Sequence, residues 1–138
     1  MIGGAFSLVI VTPEGEVVQT SVEELTAPGA LGEFGVLPGH IPFMCILSRG
    51  ELAYRRGAEK KYLAVHQGYA EVGPEAVTIL AELAEAAETI DVPRAEAAKR
   101  RAEERLARRG PEAHEIDVER AQAALARAML RLRVASRR

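Results

Sequence analysis

Residues Ala53–Val65 read AYRRGAEKKYLAV. Two runs able to extend flank the polar, glycine-bearing segment Arg-Arg-Gly-Ala-Glu-Lys, which is the pattern of a β-hairpin turn. The pattern repeats downstream in YAEVGPEAVTILAE (Tyr69–Glu82), with Gly73-Pro74 at the turn. Upstream, FSLVIVT (Phe6–Thr12) is a short apolar run closed by Pro13 and the turn-forming PEGE, and EVVQTSVEELTA (Glu16–Ala27) is a further strand candidate. Short strands with closely spaced turns predict an antiparallel sandwich or barrel. A parallel sheet would need intervening helices, and none fits this half of the chain.

The second half reads as helices. From Ala81 onward the chain is rich in Ala, Glu, Arg and Leu, all strong helix formers. Two stretches look alike, IDVPRAEAAKRRAEERL (Ile90–Leu106) and IDVERAQAALARAMLRL (Ile116–Leu132). Asp91 and Asp117 each stand before a helical run, where a side-chain oxygen can cap an orphan amide. Pro93 falls in a first turn, where its missing N–H costs little. Gly110-Pro111 is a helix stop. The expectation is an α+β chain: an antiparallel β-sandwich over residues 1–86, then an antiparallel two-helix hairpin over 87–138. Ala95, Ala98, Ala102 and Leu106 form one stripe, and Ala121, Leu125, Ala128 and Leu132 the other. Such Ala-rich stripes allow close approach but bury little area, which predicts a weakly held hairpin able to open.

Composition narrows the function. At 138 residues, 48% hydrophobic and 28% charged, the chain can bury a core. Aromatics at 4% with no Trp argue against a stacking platform for single-stranded nucleic acid. The single Cys45 cannot form an internal disulfide and fits a reducing compartment. No run approaches the roughly 20 apolar residues of a membrane span, and the N-terminus lacks the basic start of a signal peptide. The net charge of −2 hides an asymmetry. Acids outnumber bases before Thr89, whereas after Glu119 only arginines carry charge: Arg120, Arg127, Arg131, Arg133, Arg137 and Arg138. That split predicts an acidic partner for the tail. His66 and His114 lack metal-ligand spacing, Ser7 and Ser48 lack a nucleophile elbow, and no catalytic constellation is present.

The stretch GALGEFGVLPGHIPFM (Gly29–Met44) concentrates glycine and proline. It matches neither a dinucleotide fingerprint nor a phosphate loop. It reads as a shaped loop, either a plain connection between sheets or a contact loop presenting Glu33, Phe34 and His40.

Its centre, Gly-Glu-Phe-Gly-Val-Leu-Pro-Gly-His-Ile-Pro (32–42), resembles the signature Gly-Glu-(hydrophobic)-Gly-(hydrophobic)-x-Pro-Gly-His-x-Pro of the epsilon subunit of F-type ATP synthases. The resemblance extends along essentially the whole chain, through YLAVHQGYAEV (Tyr62–Val72), VTILAE (Val77–Glu82) and the Arg/Ala-rich hairpin. It implies a non-catalytic central-stalk subunit, peripheral at the cytoplasmic face of a bacterial membrane. The implied partners are the gamma subunit, the ring of c subunits and the beta subunits of the catalytic head, with no nucleic acid. By motif match, Glu33, Phe34 and His40 resemble the residues that meet the c-ring.

Some bacterial members bind ATP in the folded hairpin through Ile/Leu-Asp-x-x-Arg-Ala. Ile90-Asp91-Val92-Pro93-Arg94-Ala95 matches that motif. By position Arg101, Arg127 and Arg131 resemble the other members of such a site, with Glu85 a possible participant. ATP is implied as a regulatory ligand that is not consumed.

The spacing is compatible with this. Arg94 and Arg101 share one helical face, as do Arg127 and Arg131. If the faces meet, guanidinium forks converge and suit phosphate oxygens, while Asp91 can accept from an adenine amino group or a ribose hydroxyl. Two simpler readings stand beside it: Asp91 as an N-cap only, and the arginines as a solvated face. A different function is also open, a stand-alone β-sandwich adaptor whose basic helical tail grips an acidic protein.

Overall fold

The computed structural model describes residues 4–108 and 114–138. Eight strands come first: β1 (Phe6–Thr12), β2 (Gly15–Val22), β3 (Glu24–Gly29), β4 (Gly32–Val36), β5 (Phe43–Leu47), β6 (Gly50–Arg56), β7 (Glu59–Val72) and β8 (Ala76–Ala86). A one-turn 3₁₀ segment at Ala87–Thr89 leads to α1 (Val92–Ala107) and α2 (Glu115–Ala135). The expected helix stop at Gly110-Pro111 lies outside the described residues.

The strands form one continuous sheet in the order β2-β1-β8-β7-β5-β3-β4, with β6 pairing β3 and β7. It folds over a core that includes Leu8, Ile10, Leu25, Leu52, Leu63 and Ile79. Each of these side chains is buried because alternate residues of a half-buried strand face inward. The expected hairpins form: Arg56 pairs with Glu59 across Gly57-Ala58, and Val72 with Val77 across the Gly73-Pro74 turn. One ladder differs from the antiparallel expectation. β1 runs parallel to β8, and the crossover joining them is the rest of the sheet instead of a helix.

β7 organises both layers. Its first part pairs with β6 and its last part with β5, while β8 runs alongside both. The changeover lies at Gln67-Gly68, where φ is 42° and 151°. A Cβ on Gly68 would stand 1.8 Å from the Leu80 carbonyl oxygen, so only glycine allows this close crossing.

Three sequence expectations are corrected. The helix-forming composition from Ala81 does not start a helix. Residues 81–86 complete β8, because pairing with β7 (Ala64↔Glu85, Val65↔Ala84) overrides local propensity. The Gly29–Met44 stretch is not one loop: it contains β4, paired antiparallel to β3, and the loop proper is 37–42. Asp117 is not a cap. α2 begins at Glu115 with His114 as N-cap, and Asp117 N–H already donates to the His114 carbonyl at 3.0 Å. In the first copy Pro93 has no N–H to continue a helix upstream, so that helix starts at Val92. Glu119 at the matching position imposes no such limit.

The hairpin packs through the predicted stripes, with Ala95, Ala102, Ala121 and Ala128 buried and Ala98, Leu106, Leu125 and Leu132 half-buried. A second contact was not foreseen. Leu130, Val134 and Ala135 of α2 join Ala64, Ala87 and Ile90 in a separate apolar cluster, flanked by Tyr62 and Val92. The C-terminal half of α2 thereby lies on β7, with the hairpin folded against the sheet.

Candidate functional site

Two regions carry the predicted residues. The first is the seam between the sheet and α2. Glu85, on β8, projects into it and accepts from Arg131 Nε at 2.7 Å. His66, on β7, is buried, with Nε2 3.8 Å from the same Glu85 oxygen. That is too far for a hydrogen bond, and neither ring nitrogen of His66 has a partner among the described residues. Arg49 presents a buried, unpartnered Nε, and Arg127, half-buried on α2, acts on the imidazole together with Arg49 and Arg131. Burial first, and then the Arg131 guanidinium, holds His66 below its ordinary pKa.

Ile90 is buried in the second apolar cluster. Asp91 caps α1: its Oδ1 accepts the Arg94 amide at 3.1 Å. Arg94 and Arg101 stand exposed on α1, each just before a buried alanine of the packed stripe. Neither side chain makes an ion pair among the described residues. The structure therefore pairs Glu85 with Arg131, sets Arg127 one turn away on the same face of α2, places Ile90-Asp91 at the start of α1, and leaves Arg94 and Arg101 exposed outside that pair. Arg138 closes the seam, its Nη1 donating to the carbonyls of Ala87, Glu88 and Ile90 at 3.2, 3.4 and 3.2 Å.

The second region is one end of the sandwich. Glu33 is exposed on β4, and Phe34 stacks edge-on against Phe43 at 5.4 Å. His40 leans on Phe43 at 5.1 Å and its Nδ1 donates to the Ile41 carbonyl at 2.7 Å. Gly39 N–H donates to the Pro74 carbonyl at 2.9 Å, tying the loop to the β7–β8 turn. In this anchored loop Leu37 and Ile41 are exposed.

Two residue patterns of the whole chain have known counterparts. The family profile described as "ATP synthase, Delta/Epsilon chain, beta-sandwich domain" matches residues 5–87, and the one described as "ATP synthase, Delta/Epsilon chain, long alpha-helix domain" matches 88–136. The chain belongs to the ATP synthase delta/epsilon chain family. Its relatives include bacterial ATP synthase epsilon chains. That of Koribacter versatilis is 52% identical over 107 residues, covering 78% of this chain and 75% of the relative. That of Syntrophobacter fumaroxidans is 57% identical over 100 residues, covering 72% and 75%. The fold recurs in the mitochondrial ATP synthase of Euglena gracilis (OSCP, F1 and c-ring), with a TM-score of 0.69, 22% identity and coverage of 99% and 80%. It recurs also in the central stalk and c-ring structure from Tetrahymena thermophila, at 0.60, 12%, 98% and 99%.

For a delta/epsilon chain, two features escaped the sequence reading. One is His66 with Arg49, which only the docking of α2 brings into a site. The other is an apolar outer face on which Ile46, Tyr69 and Leu80 are cross-strand neighbours, all exposed. With Val11, Pro13 and Glu82 they line a groove of about 640 Å³. The register that aligns them depends on the Gln67-Gly68 break, and no local signal encodes it. No helix among the described residues is long and apolar enough to cross a membrane.

Proposed function

We propose that this epsilon chain works as a non-catalytic regulatory part of the central stalk. The sandwich docks on the gamma subunit and the c-ring, the latter through the end that carries Glu33, Phe34 and His40. The exposed Ile46-Tyr69-Leu80 face suits an apolar patch of gamma. The hairpin is a switch. Docked, it binds ATP along the seam and leaves the catalytic head free to turn over. Released, its basic tail reaches acidic surfaces of the beta subunits and inhibits ATP hydrolysis. The complex holds the chain peripherally at the cytoplasmic face of a bacterial membrane.

The observation that carries the ATP reading is Arg131 paired with Glu85 under a docked α2, with Arg127 one helical turn earlier on the same face. Glu85 neutralises Arg131 without ligand, so a phosphate must displace that ion pair, and the guanidinium fork then gains a more highly charged acceptor. Ligand that binds only the docked form favours it by about 2.7 kcal/mol at a hundredfold excess over Kd. A stand-alone adaptor would not require the Gly32–Pro42 signature. Isothermal calorimetry with the isolated chain tests the reading: Arg127→Ala should weaken ATP binding roughly tenfold, the size of one charge-assisted hydrogen bond, while sandwich stability is unchanged. Unaltered affinity removes Arg127 from the site.

A further inference from the structure

We propose that His66 is an acid-sensitive latch, whose ring takes up a proton and thereby releases α2 from the face of β7. The proposal stands on what surrounds the imidazole. It sits at the joint between sheet and hairpin, buried, with both nitrogens unpartnered among the described residues. Deprotonated, it forgoes only the attraction of Glu85 Oε1 at 3.8 Å. Protonated, it would add a further cation to a place that already holds Arg49 from the β5–β6 connection and Arg127 and Arg131 from α2. The facing anion is Glu85 of β8, and its near oxygen is committed to Arg131 at 2.7 Å. Two further carboxylates of the adjoining elements are paired elsewhere. Glu51 of β6 binds Arg137 at 3.3 Å, and Glu88 of the 3₁₀ segment lies 3.4 Å from Lys61.

Departure of α2 removes two of the three cations and uncovers the ring. A histidine in water titrates near pH 6.5, and docking holds His66 below that value, through burial first and Arg131 second. The sign follows from linkage. The released form binds the proton more tightly, so the contribution of His66 to docking is complete above about pH 6.5. It weakens as pH falls through the docked-state pKa, by at most about tenfold in the docked-to-released ratio per pH unit for one proton. The docking change needs only the contacts described. Its consequence, stronger inhibition under acid conditions, rests on the switch proposed above.

The test uses the full chain without nucleotide. In a Cys45→Ser background, nitroxide labels at the exposed positions Ala58, in the β6–β7 turn, and Ala126, on α2, report the sheet-to-helix distance between about pH 5 and 8. The short docked distance should dominate at the alkaline end. A longer population should grow below about pH 6.5, and His66→Asn should stay docked throughout. A wild-type distance that does not change with pH overturns the latch. So does an acid response that survives in His66→Asn, which would place the proton on His40, His114 or a carboxylate. Should His66→Asn lose its sheet signal, proton NMR of His66 in the unsubstituted chain decides. A docked-form ring that titrates at or above pH 6.5 contradicts the proposal. Because no nucleotide is present, a chain that fails to bind ATP leaves the latch standing, and one that binds ATP but docks equally at every pH overturns the latch alone.

Discussion

One carboxylate oxygen of Asp91 accepts the Arg94 amide at 3.1 Å, and the second has no partner among the described residues. Both readings of this residue are thus compatible: the cap uses one oxygen and a nucleotide could use the other. Asp91→Asn separates them, because asparagine caps as well as aspartate. Helix content by circular dichroism should be unchanged, while ATP affinity by calorimetry should fall roughly tenfold. Full affinity in that variant would leave Asp91 as a cap alone. The role of Asp91 was legible because capping is local, and its spacing before an Ala/Arg run survives in the sequence. That of His66 was not. Its burial and its charged neighbours come from β8, α2 and the segment before β6, all distant in the chain. Asp117 shows the converse error, since the repeat of Ile-Asp-Val-x-Arg-Ala suggested a second cap where the absence of a proline lets the helix start earlier.

α2 has two working faces. Ala121 and Ala128 meet α1, and Leu130 and Val134 meet the sheet. The Ala stripes were readable from helical spacing, and they gave a hairpin with little buried area. The second face was hidden in Arg-Ala-Met-Leu-Arg-Leu-Arg-Val (127–134), where arginines interrupt the apolar residues. Arg131 is half-buried because its head is paired with Glu85, so the stripe is wider than hydropathy suggests. The weak point of the hairpin is therefore its seat on the sheet. Leu130→Ala should remove about 2–5 kcal/mol of packing from that seat. Amides of α1 and α2 should then exchange hydrogen much faster, while those of β7 and β8 that face the main core keep their protection. Equal protection of hairpin and sheet in the variant would mean that the apolar cluster does not hold the hairpin. The strands had a mixed legibility. Short runs closed by Gly- or Pro-bearing turns marked β1 and the β6–β7 and β7–β8 hairpins, whereas β4 was masked by its glycines and the end of β8 by helix-forming residues that pairing holds extended.

At the scale of the molecule, the acidic first half and basic second half find each other. Glu85 binds Arg131, Glu51 binds Arg137, and Arg138 caps the carbonyls between β8 and α1. The charge split seen in sequence predicted an acidic partner for the tail, and in the docked form Arg131 and Arg137 pair with carboxylates of the sandwich itself. An external acidic surface must compete with these contacts, each individually modest because both members are near solvent. Such a balance, held by a small apolar cluster and a few partly exposed ion pairs, is one that a ligand or a proton can shift. The proposed function gives the two parts separate tasks, assembly to the sandwich and inhibition to the hairpin. The most direct test is ATP hydrolysis by the assembled complex carrying either the full chain or a chain ended after Glu88. The shortened chain should still co-purify with the complex, and hydrolysis should rise. Unchanged hydrolysis in a fully assembled complex, or failure of the shortened chain to assemble, would contradict that division of tasks.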